Sequence, residues 1–320
     1  MTTGFRSPLA QDLERFLVYK RALGHPYRRA EFTLRSFDRY VLKHARRDRP
    51  LQLAELVRGW LAERAGRKAV SVATELGPVR QFFLYRRRTD PGGFVPGRDW
   101  APQSTRSVFV PHVLSAAEIR ALLNAARTLP GPPLRSHAIV TLLLILYCTG
   151  LRFGEAVRLR LQDVDLVRRV FIVHESKGKT RFVPFRADLA RSLQCYRRER
   201  DRVAGVTADA ALLVRPDGRP FTTLAASNAV RHLLRRIGIK PPKGRTGPRP
   251  YDLRHTFAVH RLTNWYRAGI DIHSRLPWLS AYLGHNDLLG TEVYLKATPE
   301  LLGTASRRFE IRLRGAGALR

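Results

Sequence analysis

A stretch rich in proline, glycine and small polar residues, PGGFVPGRDWAPQSTRSVFVP (91–111), separates two regions of regular apolar periodicity. Proline and glycine interrupt helices and strands, and domain boundaries fall in segments of this composition. At 320 residues the chain is also long enough for two cores. We therefore predict a first domain over residues 1–95, a linker over 96–112 and a second domain over 113–320.

The first domain has the residue spacing of amphipathic helices. Apolar side chains recur three or four positions apart in four segments separated by short turns. The recurring pairs are Leu13 and Phe16, Phe37 and Val41, Leu56 and Trp60, and Leu76 and Val79. Basic residues flank each segment. This pattern predicts a small all-α unit with a charged surface.

The second domain combines helical segments with strand segments. Ser115 and Glu118 have the spacing of a capping box, and the apolar run SHAIVTLLLILYCTG (136–150) predicts a buried helix. RRVFIVHES and TRFVPF flank KGK and predict a hairpin, and ALLVRPDGRPFTT (211–223) is a second hairpin candidate. Helical segments follow, the last at PELLGTASRRFEIRL (299–313). The prediction is an α+β domain, mostly helical, with a small antiparallel sheet.

The charge of the chain indicates its class of partner. Lys and Arg number 58 against 26 Asp and Glu, which gives a formal net charge of +32. Any single basic cluster is equally well explained as a solvated surface. A whole chain at this charge repels itself unless a polyanion neutralises it. Nucleic acid is favoured over an anionic membrane because the sequence contains no amphipathic anchor and no lipidation signal.

The expected cellular compartment and the small number of cysteines agree with a nucleic-acid partner. The N-terminal residues lack the apolar core of a secretory signal, and TLLLILYC is too short to cross a membrane. Cys148 and Cys195 are too few for a disulfide framework or a four-cysteine zinc site. We expect a cytoplasmic protein of bacterial type, associated with the nucleoid and not with a membrane.

Two stretches carry basic residues that packing does not require. In CTGLRFGEAVRL, Gly150 can turn the chain sharply, and Arg152 then begins a helix. Arg152 could equally be an ordinary surface arginine. In HESKGKTRFVPF, Lys177 and Lys179 lie at a hairpin tip, where they are either solvated or able to reach into a groove of DNA.

Two later stretches carry further polar residues. In YDLRHTFAVHRL, Tyr251, Arg254 and His255 fall on one helix face, which could simply be exposed. In SAYLGHNDLLGTEVY, His285 follows a tight Leu-Gly turn, and Tyr294 comes nine residues later in a helical segment. Tyr294 is either an aromatic packing anchor or a reactive group, and the local sequence does not distinguish the two.

The order of these stretches is more specific than any one of them. TGLRxGE, a basic hairpin ending in a VPF strand, xDLRHTFA, LGHxD and the tyrosine nine residues after that histidine resemble the tyrosine recombinase (phage integrase) family. The resemblance spans residues 112–313, and the preceding helical unit is similar to the SAM-like core-binding domain of the family. LPWLSAYLGHNDLLGTEVYLKATPELL (276–302) is most similar to integrases carried by transposons.

The resemblance implies a role for each matching residue. The catalytic positions are Arg152, Lys177, Tyr251, Arg254, His285 and Tyr294, and the supporting positions are Glu155, Lys179 and His255. The family usually has histidine where this chain has Tyr251, so either Tyr251 or His255 takes that role. The hairpin turn is one residue shorter than usual, so Lys179 remains a candidate beside Lys177.

The resemblance also implies a function. A site-specific recombinase of this kind cleaves and rejoins duplex DNA through a 3′-phosphotyrosine, without metal or ATP. Its partners are recombination sites, which it holds as a homotetramer of clamps, and accessory recombination proteins. The sequence contains no phosphate-cradling glycine loop. Two alternatives remain: an enzyme like type IB topoisomerases, and a non-catalytic DNA-binding accessory protein whose recombinase core is inactive.

Overall fold

The chain divides into two compact units, residues 1–109 and 110–320. A computed structural model describes residues 4–46, 49–102, 111–176, 179–244, 246–285, 287, 289–292 and 294–295. The division falls inside the stretch predicted as a linker, of which residues 103–110 lie outside the described residues. The predicted fold class is confirmed: the structure is mostly helical and includes a small antiparallel sheet.

The first unit contains helices α1 (Ala10–Ala22), α2 (Arg28–His44), α3 (Leu53–Ala62) and α4 (Ala69–Arg86). Its core is aromatic, because the periodic positions bring Phe16, Phe37, Trp60, Phe82 and Phe83 together. The predicted apolar faces are therefore the buried ones. Ala101 is buried in the same core, so part of the predicted linker packs on this unit.

The second unit begins with α5 (Ala116–Arg127) and α6 (Pro133–Thr149). The predicted capping box is present, since the Ser115 side chain accepts from the Glu118 backbone and the Glu118 carboxylate accepts from the Ser115 backbone. Helix α6 is apolar around most of its circumference and lies in the centre of the core, against α5 and several later helices. A short helix, α7 (Phe153–Val157), follows it directly.

A three-stranded antiparallel sheet comes next, with strands β1 (Val164–Asp165), β2 (Val170–Ser176) and β3 (Lys179–Pro184) in that order. The predicted hairpin is the β2–β3 pair, with Phe171 opposite Val183. The second hairpin candidate forms only one isolated bridge, between Val214 and Pro220, in place of paired strands. Proline donates no ladder hydrogen bond, which limits pairing there.

The remaining helices are α8 (Ala187–Arg200), α9 (Thr223–Arg236), α10 (Asp252–Arg267), α11 (Ile272–Leu283) and α12 (Leu289–Glu292). Helix α8 was not predicted, because its many charged residues obscure a stripe of Leu189, Leu193 and Tyr196. The predicted last helix, residues 299–313, lies outside the described residues. In the ranges that the structure describes, each helix is too short or too polar to cross a membrane.

Candidate active site

Arg254 lies in the first turn of α10 and is only 1% exposed. A positive charge is unfavourable at a helix N-terminus. Two backbone carbonyls compensate it: Nη1 donates to Gly150 O at 2.8 Å, and Nη2 donates to Leu283 O at 2.7 Å. These carbonyls belong to the C-terminal ends of α6 and α11, where the helix dipole favours cations. Burial lowers the pKa of Arg254, but an arginine remains charged at neutral pH.

Gly150 allows these helix ends to come close to Arg254. It ends α6 in the left-handed conformation, with φ of 62°. A Cβ atom at this position would lie 2.4 Å from the Phe257 ring and 2.9 Å from Leu283. The glycine of the TGLR motif is therefore required both for the turn and for close packing against α10 and α11.

Arg152 is held by a buried carboxylate. Its Nη1 donates to Glu155 Oε1 at 2.7 Å, and its backbone N–H donates to Glu155 Oε2 at 2.9 Å. Its Nη2 donates to Gly284 O at 2.6 Å. The Glu155 side chain is 3% exposed, and a buried carboxylate is stable only when it is paired and hydrogen-bonded. Arg152 is thus a fixed part of the site, and its interpretation as an ordinary surface arginine is wrong.

Arg181 was not among the predicted site residues, yet it contacts the same carboxylate. Its Nη1 and Nη2 donate to the two oxygens of Glu155 at 3.2 and 2.7 Å, and its Nε donates to Tyr282 O at 3.1 Å. The sequence contained one signal for it. Along β3 and the residue after it, the inward positions are Arg181, Val183 and Phe185, so a charged residue occupies an inward position.

Three successive carbonyls at the C-terminal end of α11, those of residues 282–284, accept hydrogen bonds from three arginines: Arg181, Arg254 and Arg152, in that order. The negative end of the helix dipole offsets the repulsion among these guanidiniums. The Leu-Gly-His turn is the end of this helix. It therefore gathers the arginines as well as placing the histidine.

His285 and Tyr294 are linked through Thr291. His285 Nδ1 and Thr291 Oγ1 are hydrogen-bonded at 2.7 Å, and the Tyr294 backbone N–H donates to Thr291 O at 3.0 Å. Tyr294 is 2% exposed and lies in the turn that follows α12. The expectation that it lies within a short helix is therefore wrong: α12 ends at Glu292.

Burial raises the pKa of the Tyr294 phenol, and the positive charge of Arg254 opposes that shift, with a smaller contribution from Arg152. The phenol is consequently protonated at neutral pH. A reaction at its oxygen requires a group that accepts the proton, and the neighbouring guanidiniums stabilise the phenolate that forms.

Two side chains beside Tyr294 are candidates for assisting that proton transfer, His255 as the acceptor and Tyr251 by positioning the phosphate or a water. The His255 ring packs against the Tyr294 ring at a centroid distance of 5.4 Å and against the Tyr251 ring at 5.0 Å. Burial lowers the pKa of His255 to about 4, so this imidazole is neutral at neutral pH. Tyr251 precedes α10 and is 38% exposed. The predicted Tyr251, Arg254 and His255 group is thus brought together, with Arg254 buried.

The predicted lysines are less fully described. Lys177 lies outside the described residues, and Lys179 begins β3, where its backbone pairs with Ser176. Arg181 lies on β3 of the same hairpin, two residues after Lys179. Around the end of α11 the structure gathers Arg181 together with several predicted residues, which are Arg152, Glu155, Arg254, His285 and Tyr294.

Comparison with known proteins gives a consistent set of relatives. The sequence profile of the phage integrase family matches residues 112–300. The chain is 34% identical over 308 residues to the integrase/recombinase y4rE of Sinorhizobium fredii, covering 96% of this chain and 97% of that protein.

Solved structures share the fold. The recombinase XerH in a post-cleavage complex with its difH substrate has a TM-score of 0.66 at 18% identity, covering 87% of this chain and 78% of that one. The Tn1549 transposon integrase in complex with transposon right end DNA has a TM-score of 0.64 at 16% identity, covering 93% and 98%.

Proposed function

The chain belongs to the phage integrase family, and we propose that it breaks and rejoins DNA at specific sites with Tyr294 as its nucleophile. Site-specific recombination is the activity of this family of tyrosine recombinases. The observation that carries the assignment of residues is the gathering of Arg152 and Arg254 at the end of α11, next to Tyr294. A packing anchor would need neither of these charges.

The arginines address the difficulty of attacking a phosphodiester. Its negative charge repels nucleophiles, and further charge builds on the non-bridging oxygens in the pentacoordinate transition state. Arg152 and Arg254 bind these oxygens, and His285 donates a further hydrogen bond. Loss of one such donor typically costs on the order of 10²–10³ in rate. Backbone carbonyls and Glu155 already hold the two arginine side chains in place, but Arg254 is buried and DNA binding must make it accessible.

The chemical step forms one bond and breaks another. The Tyr294 oxygen attacks phosphorus and loses its proton to His255 or to a water that Tyr251 or His255 positions. The bond from phosphorus to the 5′ oxygen breaks, and Lys177, with Lys179 as the alternative, protonates the departing oxygen. The products are a 3′-phosphotyrosine and a free 5′-hydroxyl. Since Tyr294 is 2% exposed, DNA binding must also uncover it.

The same chemistry removes the need for a cofactor. The phosphotyrosine conserves the phosphoester, and the 5′-hydroxyl of the new partner strand attacks it in the reverse step. No energy from ATP is required for rejoining. Guanidinium groups supply the charge stabilisation that a metal ion supplies in two-metal nucleases. We therefore propose that neither metal nor ATP takes part.

The partner is duplex DNA, in agreement with the net charge of +32. Both units would contact it, mainly through phosphates. Exchange between two duplexes requires four cleavages, so we propose a homotetramer on paired sites. The lambda integrase has been solved as a tetramer bound to a Holliday junction. We further propose a cytoplasmic protein of a mobile element, acting on bacterial DNA together with accessory recombination proteins.

Covalent capture tests this proposal. The substrate is a nicked duplex made from the DNA that flanks the gene, in which cleavage releases a short strand and traps the adduct. Wild-type protein should form a denaturant-resistant DNA complex, and Tyr294→Phe should form none. Tyr266→Phe, in the same unit, is the matched control and should react like the wild type. Adduct formation without strand exchange between two duplexes would instead favour a topoisomerase, and DNA binding without an adduct would favour an accessory protein.

A further inference from the structure

Arg181 connects the lysine hairpin to the arginine cluster. It lies on β3, two residues after Lys179, and its side chain is 12% exposed. All the hydrogen bonds given above for its guanidinium are made to Glu155 and to the Tyr282 carbonyl. A half-buried arginine with this set of partners needs a reason beyond solubility, because its desolvation is costly.

We propose that Arg181 is a positioning residue for cleavage: it neutralises Glu155 so that Arg152 keeps a net positive charge for the DNA phosphate. This inference rests on the proposed function of the site. Arg181 does not itself contact the phosphate. It acts on the reaction through Glu155 and then through Arg152.

The Glu155 carboxylate lies between the guanidinium groups of Arg152 and Arg181. Glu155 Oε1 accepts from Arg152 and Arg181, and Oε2 accepts from the Arg152 backbone and from Arg181. One negative charge is therefore shared by two guanidiniums, and the group of three has a net charge of +1. Without Arg181, Glu155 and Arg152 would form a neutral pair. Arg152 would then be held by the carboxylate with little charge left to stabilise the transition state.

Gly284 provides an independent sign that this position of Arg181 is built into the site. Gly284 has φ of 70° and is the glycine of the Leu-Gly-His turn. A Cβ atom there would lie 2.8–3.0 Å from the guanidinium atoms of Arg181. The glycine thus leaves room for the Arg181 side chain, in addition to allowing the left-handed turn.

A rival explanation is that Arg181 acts through the hairpin. Its bond to the Tyr282 carbonyl, together with the Tyr282 hydroxyl donating to Pro184 O at 2.9 Å, attaches β3 to α11. Loss of Arg181 could then displace the lysine that protonates the leaving oxygen. The two explanations predict different responses to a second substitution and to a changed leaving group.

The main test is a double-mutant cycle on single-turnover cleavage of the nicked substrate. Arg181→Met should slow cleavage by about 10–100-fold, by analogy with residues that hydrogen-bond to metal ligands and orient them. In a Glu155→Gln background, which removes the negative charge, the same substitution should cost less than about 5-fold. If the two substitutions acted independently, their free-energy penalties would add, and Arg181→Met would cost the same in both backgrounds. Equal penalties in both backgrounds would overturn the proposal.

Three controls complete the test. Arg186→Met removes an exposed arginine just after β3 and should stay within about 3-fold of the wild type, since a solvated charge contributes little. Arg181→Lys should recover part of the lost rate. A substrate with a 5′-bridging sulfur needs no protonation of its leaving group, because a thiol is far more acidic than an alcohol. The Arg181→Met penalty should persist on it, and disappearance of that penalty would establish the hairpin explanation and overturn ours.

The outcomes remain informative if the methionine variant misfolds. Arg181→Gln, which also removes the charge, then carries the cycle: a folded, slower enzyme whose penalty shrinks in the Glu155→Gln background supports the proposal, and a wild-type rate or an undiminished penalty overturns it. If the wild-type protein forms no adduct, the proposed function fails, and this inference fails with it. If wild type and Arg186→Met react normally while the cycle shows no coupling, only the role of Arg181 is wrong.

Discussion

The rings of His285 and Tyr294 lie 27° from parallel with their centroids 6.1 Å apart, and Thr291 bonds to both residues. Its hydroxyl is paired with the histidine ring, and its carbonyl accepts the tyrosine backbone N–H. Thr291 is fully buried, so this link is shielded from water. Thr291 therefore links the His285 ring, through its hydroxyl, to the backbone of Tyr294.

Thr291→Val tests this link because it keeps the shape of the side chain and removes only the hydroxyl. We expect single-turnover cleavage to fall by about 10-fold, since a residue that orients a catalytic group typically contributes about that much. Affinity for DNA should not change. Cleavage at the wild-type rate would mean that His285 is held in place without Thr291.

Tyr251 and His255 are distinguished by their separate substitutions. If the Tyr251 hydroxyl positions the phosphate or a water, Tyr251→Phe should reduce adduct formation modestly and Tyr251→His should be tolerated. If His255 accepts the phenol proton, His255→Ala should be the severe variant, by about 10²–10⁴-fold. Single-turnover rates of the three variants decide between them. Wild-type rates in both Tyr251→Phe and His255→Ala would remove both side chains from the step.

How much of this site could be predicted depends on what kind of contact holds each residue. Arg152, Arg254, His285 and Tyr294 lie in motifs whose order is specific, and the capping box at Ser115 is a local pattern. The carbonyl contacts depend on where two helices end in three dimensions, which no local spacing encodes. Arg181 was missed because its importance comes from Glu155, which is close in space and distant in sequence.

The burial of His255 predicts a pH dependence of stability. Its pKa in the folded protein is about 4, whereas an unfolded histidine takes up its proton near pH 6.5. Below about pH 6.5 the unfolded chain therefore binds the proton first, and stability falls until about pH 4. At neutral pH and above, His255 contributes no such effect.

Thermal melts of wild type and His255→Gln measure this effect. Between pH 7.5 and pH 5 the wild type should lose about 1–2 kcal/mol more stability than the variant, because glutamine does not titrate. Comparing the two proteins cancels the other titrating groups. Parallel pH profiles for the two proteins would show that the pKa of His255 is not lowered by folding, which would contradict the value of about 4.

The net charge of +32 predicts a steep salt dependence of DNA binding. If about six or more phosphates are neutralised, affinity should fall by about 10³-fold or more between about 50 and 200 mM salt, through release of counterions. Fluorescence anisotropy with a labelled duplex across this range gives the slope. A nearly flat response would be incompatible with binding through phosphates.

Identification of the residue that becomes attached to DNA tests the central assignment most directly. The wild-type adduct on the nicked substrate is digested with nuclease and protease, and the modified peptide is sequenced by mass spectrometry. The nucleotide should be attached to Tyr294, in the peptide that contains TEVYLKATPELL. Attachment to any other tyrosine, or an adduct that persists in Tyr294→Phe, would contradict the assignment of Tyr294 as the nucleophile.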